Sequence, residues 1–319
     1  MTWLSTKVRR RRALALAALG GALAASLAVV QPSHATFRGA NGLLVFEAPA
    51  GANTQLFTIK PDGTGLTQLT RFTDSGGTDA GWSKDGSRIV FTRHWDPAGP
   101  NEKLTVYTVN ADGSGSKALR KTGRGAVGPD WMPNGRQIVY LDVISGRLMV
   151  VGADGTRVRS AVVPGKGGDS ACVLPDGKRI AFLRPKAGND AVRAIFVAGL
   201  FGHGIKRITP WGGYADKIDC SPDGKRLVFS KPAFSQESGA SSNIFTVTTD
   251  GSGEVQLTHE SDGTTNAGAD SWSPDGGKIA YVSNKSGVYQ IWTMNADGTE
   301  QTQLTKGAEA HLAAWGSHP

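Results

Sequence analysis

The chain has 319 residues, with 35 Lys and Arg against 27 Asp and Glu, a formal net charge of +8. Five of the cations, Lys7 and Arg9 to Arg12, fall in the first 35 residues, where there is no acidic residue. The other 284 residues carry only +3, and nucleic-acid binding requires a clustered basic surface. We therefore expect no nucleic-acid partner, and the length allows a large hydrophobic core.

Residues 1–35 have the layout of a secretory signal peptide. The basic stretch precedes an apolar run from Ala13 to Val30, and the small residues Ser33 and Ala35 follow. An uncleaved membrane anchor is the alternative, but the run is rich in Ala and Gly, which weakens it as a span. The pair Arg11-Arg12 allows the twin-arginine route as well as the general one. We expect a secreted, periplasmic or cell-envelope protein without a membrane span after cleavage.

A five-residue turn phrase recurs along most of the chain. Its last complete copy reads Trp272-Ser-Pro-Asp-Gly276. The copies begin at Trp82, Trp131, Val173, Cys220 and Trp272, with a truncated one at Trp315. These starts are 42 to 52 residues apart, a period that is typical of stacked supersecondary units.

The last complete repeat divides into four short strands. Residues 269–273 lead into a Pro-Asp-Gly turn, and an alternating strand follows at 278–282. A third strand at 288–294 ends in the Asp-Gly turn at Asp297, and 302–305 forms the fourth. Six such hairpins occur, so we predict an all-β, six-bladed β-propeller of four-stranded antiparallel blades.

The two ends of the repeat region complement each other. Residues 42–47 match a second strand with no first strand before it, and residues 311–315 match a first strand with nothing after it. Pairing of these N- and C-terminal strands would complete a blade and remove open sheet edges. We therefore expect residues 36–319 to form a single closed domain that is monomeric.

The two cysteines leave two interpretations open. An even number of cysteines in an exported chain permits a disulfide between Cys172 and Cys220. They are one residue out of phase within the repeat, and strand side chains alternate faces, which would point them apart. In the second interpretation Cys220 is a buried apolar substitute for the repeat tryptophan.

The repeat from Trp272 to Thr305, with its Pro-Asp-Gly turn, Asn-Ala-Asp-Gly turn and Gln-Leu-Thr ending, resembles the TolB-type repeat, a WD40-like (PD40) family. The resemblance covers residues 38–316 and implies a six-bladed propeller. TolB proteins are periplasmic, bind a peptidoglycan-associated lipoprotein and carry a separate N-terminal α/β domain. The first blade here begins soon after the predicted cleavage site, so we expect that domain to be missing, and the sequence leaves a Tol–Pal role open.

The two kinds of connection predict a working face. The short Asp-Gly turns all lie on one side of the disc, here called the short-turn face. The opposite side, the loop face, carries long connections that differ between blades, and such loops are where binding usually occurs. Exposed aromatic side chains there would contact a partner or a sugar, although half-buried anchors are the alternative. The aromatic candidates are Trp95, Trp211, Tyr214 and Phe234.

Acidic residues recur where the innermost strands begin on the loop face. They are Asp79, Asp130, Asp169, Asp216, Asp270 and Glu309. If several point into the channel, its mouth would be an acidic ring suited to a divalent cation or a basic peptide terminus. Alternatively, each carboxylate accepts backbone N–H groups at the start of its own strand.

Catalysis is the second function that we consider. His94, His259 and His311 lie near the loop face in three blades, and their convergence would allow a transition metal to bind, as in propeller lyases that act on acidic polysaccharides. Neither a Gly-x-Ser-x-Gly elbow nor His-Glu-x-x-His occurs. Our first expectation is a non-enzymatic binding module without a resident cofactor, recognising a cell-envelope protein, peptide or glycan. The alternative is a metal-dependent polysaccharide-acting enzyme at the channel mouth.

Overall fold

The structure is a computed structural model that describes residues 37–95, 103–119, 122–123, 125–160, 170–213, 217–232 and 241–318. These residues form 24 β-strands. They contain no helix that is long and apolar enough to cross a membrane. The strands are β1 (Asn41–Ala50), β2 (Asn53–Ile59), β3 (Thr67–Gln68), β4 (Ser75–Trp82), β5 (Arg88–Trp95), β6 (Lys103–Asn110), β7 (Lys117–Ala118), β8 (Ala126–Trp131), β9 (Gln137–Asp142), β10 (Arg147–Gly152), β11 (Arg159–Ser160), β12 (Ala171–Val173), β13 (Arg179–Lys186), β14 (Asn189–Gly199), β15 (Lys206–Arg207), β16 (Ile218–Cys220), β17 (Arg226–Pro232), β18 (Ser242–Thr248), β19 (Val255–Gln256), β20 (Ala267–Trp272), β21 (Lys278–Ser283), β22 (Gln290–Asn295), β23 (Thr302–Gln303) and β24 (His311–Ser317).

The strands form six four-stranded antiparallel sheets, which are the six blades. Blade 1 has the order β24-β1-β2-β3, and blades 2 to 6 take four consecutive strands each, from β4-β5-β6-β7 to β20-β21-β22-β23. The first strands of five of the six successive pairs of blades contact one another, from β24 with β4 to β20 with β24, as expected for strands that surround a central channel. The predicted fold, a six-bladed propeller, is confirmed.

The ring closes where the two ends of the domain pair. β24 runs antiparallel to β1, with Leu44 opposite Trp315 and Glu47 opposite His311. The last strand of the chain is therefore the innermost strand of the first blade, as predicted. Side chains also join neighbouring blades, since the hydroxyl of Ser271 in blade 6 accepts the backbone N–H of Trp315 at 3.1 Å.

The recurring Ser-Pro-Asp-Gly phrase forms a turn that its own side chains hold. The hydroxyl of Ser273 donates to Asp275 at 2.6 Å and accepts the backbone N–H of Lys278 at 2.8 Å. Gly276 has φ +74°, where a side chain is disfavoured, and its N–H donates to the carbonyl of Ser273. Because the turn depends on local contacts alone, it can recur in blade after blade.

The repeat tryptophans pack between blades. Trp131 is fully buried beside Val90 and Val106 of blade 2, and Trp272 is fully buried beside Val228 of blade 5. Each indole therefore covers the preceding blade, as its position in the repeat predicts. Large flat side chains suit this purpose, because they bury much apolar area between two sheets.

The cysteines form a disulfide. Cys172 in β12 and Cys220 in β16 have Cα atoms 5.8 Å apart, and both are fully buried. The two cysteines are one residue out of phase in the repeat, but this offset does not exclude the bond. The alternation of side chains between two faces applies within one sheet, and these two strands belong to different blades. The bond links the inner strands of blades 4 and 5.

Candidate functional site at the channel mouth

Bulges in the inner strands determine where two of the predicted carboxylates lie. The register between β4 and β5 shifts between Thr78 and Gly81, around Asp79, which has φ +54°. A second shift, between β20 and β21, falls at Asp270. A bulge bends a strand and turns a side chain out of the regular alternation. Both carboxylates are almost completely buried.

Four charged residues from four blades form what we call the channel cluster: Glu47, Asp79, Lys217 and Asp270. The ammonium of Lys217 lies 3.2 Å from Asp270 Oδ1 and 3.4 Å from the carbonyl of Ala313. The carboxylate of Glu47 interacts electrostatically with all three of the others. Lys217 immediately precedes β16, which places it at the loop-face end of that strand.

The cluster has more negative charge than its one ammonium can satisfy. Three buried oxygens, Glu47 Oε2, Asp79 Oδ1 and Asp270 Oδ2, have no hydrogen-bond partner among the residues that the structure describes. Burial, followed by repulsion from Asp79, raises the pKa of Glu47 well above its usual range. Burial likewise raises the pKa values of Asp79 and Asp270, although Lys217 opposes the shift in both. The cluster therefore favours either a proton or another cation.

Two of the remaining predicted acids contact neighbouring residues, and the other two lie outside the described residues. Asp130 Oδ1 accepts the backbone N–H of Trp131 at 2.8 Å, so its carboxylate bonds nearby backbone as in the alternative, but Asp130 lies near the end of β8 and not at its start as predicted. Glu309 lies 3.4 Å from His311 at the start of β24. Asp169 and Asp216 lie outside the described residues.

Sequence reasoning missed three charged residues of the channel wall. Glu47 and Lys217 gave no signal in the repeat, since neither occupies a recurring position. Asp219 did give one, because it directly precedes the repeat slot at Cys220 just as Asp130 precedes Trp131. It accepts backbone N–H groups from Cys220 at 2.8 Å and, across the blade interface, from Trp272 at 2.7 Å.

Two of the predicted aromatic residues are half-buried. Trp95 ends β5, with the guanidinium of Arg93 4.4 Å above its ring and Tyr107 5.4 Å away. Trp211 packs edge-on against Phe196 at 5.8 Å, beside the core of blades 3 and 4. Each therefore anchors its loop while keeping part of its ring accessible. The other two candidates, Tyr214 and Phe234, lie outside the described residues.

The three histidines occupy separate blades. His94 lies in β5 of blade 2, His259 is exposed after β19 of blade 5, and His311 begins β24 against Tyr289, with ring centres 5.2 Å apart. In the part of the chain that the structure describes, no group of three or more His, Cys, Asp or Glu is arranged to hold a metal ion. The convergence on which the metal-dependent alternative depends is not found there.

The structure is a six-bladed propeller in which three carboxylates and one ammonium from four blades form the channel cluster. Among solved structures, the chain is similar to TolB from Acinetobacter baumannii, with TM-score 0.69 and 19% identity over 86% of this chain and 66% of that one. It is also similar to a putative TolB from Agrobacterium tumefaciens, with TM-score 0.63 and 16% identity over 85% of this chain and 92% of that one. At these identities the likeness shows a TolB-like propeller fold alone.

No family model matches the chain. One curated protein, dipeptidyl-peptidase 5 of Porphyromonas endodontalis, is 40% identical over 104 residues. That match covers 31% of this chain and 15% of the peptidase, so the chain spans only a small part of its length.

Proposed function

We propose that this protein is an exported, non-enzymatic binding module that recognises a protein or peptide of the cell envelope through its loop face. A positively charged group of that partner, either a basic side chain or a peptide N-terminus, would enter the channel mouth and contact the channel cluster. A glycan is the other class of partner that half-buried loop aromatics such as Trp95 and Trp211 would suit.

The observation that carries the proposal is the set of unpartnered carboxylate oxygens on Glu47, Asp79 and Asp270. An unsatisfied buried polar group costs about 1–3 kcal/mol, and more when it is charged. A cation that contacts these oxygens would recover part of that cost. Retaining them on three separate strands is consistent with a site that is completed by a ligand.

An ammonium or guanidinium group fits the cluster better than a divalent ion. Metal ions require several oxygen ligands at fixed distances, and the described residues contain no such arrangement. An organic cation donates hydrogen bonds over a wider range of geometry, as Lys217 already does to Asp270. A divalent cation in the channel remains the second proposal for the same oxygens.

A peptide selection tests the proposal. The purified protein is used to select from a random peptide library with free N-termini, and affinities are then measured for synthetic peptides. We expect the selected peptides to carry Lys, Arg or an essential terminal amine. The double variant Glu47→Gln and Asp270→Asn should weaken binding at least about tenfold. Asp112→Asn, which changes an exposed acid on the short-turn face, should not.

The pH dependence gives an independent test of the site. Since the pKa of Glu47 is raised and a cation binds the ionised carboxylate, affinity should increase as pH rises above the ordinary carboxyl range, with release of a proton on binding. Enriched peptides that lack any cation, or equal binding by the double variant, would show that the channel cluster is not the site. Failure to enrich any peptide would contradict peptide recognition itself.

A further inference from the structure

A groove runs along the outer rim of the propeller between blades 2 and 3. It consists of two adjoining cavities of about 960 and 720 Å³, and Lys117, Asp154 and Thr156 line both. The first cavity opens among the short turns and the second reaches the side chains of Phe72 and Tyr107. We call it the rim groove, and it lies apart from the channel cluster.

The rim groove has more cations than acids along its described lining. Its first cavity is lined by Arg88, Lys117, Arg136 and Arg157 but by only one acid, Asp154. Among the described residues, none of the four cations forms a salt bridge with a carboxylate. Asp154 itself accepts the N–H and hydroxyl of Thr156, bonds that hold the pKa of its carboxyl below the usual range, and the charge of Arg157 helps to lower this pKa.

Two cations of blades 4 and 5 contact oxygen atoms of nearby residues. Lys206, which occupies the position of Lys117 in blade 4, donates to the carbonyl of Asp250 in blade 5 at 3.1 Å. Lys231 pairs with Glu254 within blade 5 at 2.5 Å. The position of Arg88 follows from the repeat, because it lies over Trp131 at 4.6 Å just as Arg226 lies over Trp272 at 4.8 Å. What is particular to this blade interface is that Lys117 and Arg157 line the same cavity.

The backbone conformation of Arg157 also supports a role for its side chain in the rim groove. It has φ +56°, a left-handed conformation that L side chains disfavour. Four of the other five hairpins have glycine at the equivalent position, with φ between +62° and +68°: Gly65, Gly115, Gly204 and Gly253. Keeping an arginine where glycine would be unstrained suggests that its guanidinium is used, since strain of this kind clusters at functional sites.

The rest of the groove suits a sugar chain. Tyr107 and Phe72 line the second cavity, and the guanidinium of Arg93 covers part of both rings, at 5.3 Å and 4.1 Å. Amide groups of Asn134 and Gln137 also line the groove and can exchange hydrogen bonds with hydroxyls. Arginine is particularly suited to carboxylate and phosphate groups, which it can bind with two parallel hydrogen bonds.

We propose that the rim groove binds an acidic oligosaccharide, a chain of several units that carry carboxylate or phosphate groups. The cations would contact the acidic groups, and the amides and aromatic rings would contact the rest of each unit. Two adjoining cavities exceed what a single small anion would fill. This site is independent of the peptide site on the loop face.

Calorimetric titration with defined six-unit oligomers tests the inference. The ligands are a hexauronate, a phosphorylated maltohexaose and the neutral maltohexaose, all in about 150 mM salt. We expect one acidic oligomer to bind at least about tenfold more tightly than maltohexaose, and which one binds identifies the acidic group.

Arg157→Gly should weaken that binding at least about fivefold without lowering the unfolding midpoint, because glycine adopts the required φ. The matched control is Glu300→Gly, since Glu300 has φ +52° at the equivalent position of blade 6. It should leave binding unchanged. Lys117→Gln, at an exposed position, provides a second variant that does not depend on the turn.

Three results would overturn the inference. The first is that neither acidic oligomer binds. The second is that Arg157→Gly and Lys117→Gln both bind like the wild type. The third is that single-stranded DNA of equal charge binds as tightly as the better oligomer, which would reduce the groove to unspecific attraction of polyanions. Peptide binding at the loop face should be unaffected in Arg157→Gly, so either proposal can be refuted without the other.

Discussion

Replacing Trp315 by alanine should destabilise the whole ring, because this residue lies where the ring closes. Its indole is 3% exposed, packs with Ala280 and Ile291 of blade 6, and donates from Nε1 to the carbonyl of Gly42 at 3.2 Å. Truncating a buried tryptophan costs about 3–5 kcal/mol. The lost hydrogen bond adds about 1 kcal/mol. The sum is a large part of the 5–15 kcal/mol that is typical of whole domains.

Urea unfolding followed by far-ultraviolet circular dichroism, with the disulfide intact, measures this loss. The control is Trp211→Ala, which truncates a half-buried tryptophan remote from the closure and should cost about 2 kcal/mol. We expect one cooperative transition in both variants, with the larger shift for Trp315→Ala. A loss no greater than that of the control, or a separate early transition of blade 1, would refute the idea that β24 stabilises the ring as a unit.

Two further predictions concern single positions. A Cβ at Gly298, which has φ +90°, would lie 2.6 Å from the carbonyl oxygen of Leu257, whereas Gly307 has φ +93° and open space around it. Gly298→Ala should therefore cost at least about 3 kcal/mol in urea unfolding and Gly307→Ala about 1–2 kcal/mol, and equal losses would contradict the steric argument. For Glu47, the raised pKa means that the folded state holds a proton that the unfolded state releases, so stability should fall as pH rises above about 4.3. Glu47→Gln should reduce that fall and be more stable than the wild type by about 1–3 kcal/mol at pH 8. Asp79 and Asp270, whose pKa values are also raised, would account for the rest of the fall. Parallel stability–pH curves from pH 4 to 8 would show that the Glu47 carboxyl is not perturbed.

Most of the fold could be predicted from the sequence repeat. The Ser-Pro-Asp-Gly turn is held by contacts within six residues, as between Ser273 and Lys278, so its presence can be recognised locally. Strand alternation and the Asp-Gly hairpins are local in the same sense, and counting them predicted six blades. The blade that combines β24 with β1 to β3 was predicted by matching the two incomplete repeats at the ends of the domain. The interblade position of Trp131 and Trp272 followed from their shared slot.

Tertiary structure decided which charged groups meet. Glu47, Asp79, Lys217 and Asp270 come from four blades, and three of them lie at a bulge or a strand end, so no spacing in the sequence predicts their contact. The disulfide and the rim groove have the same origin, because both form between side chains of neighbouring sheets. Local sequence determined each blade of this protein, since turns and alternation need only nearby residues. The channel and the groove depend on how the blades are placed around the ring, which brings together residues distant in the chain.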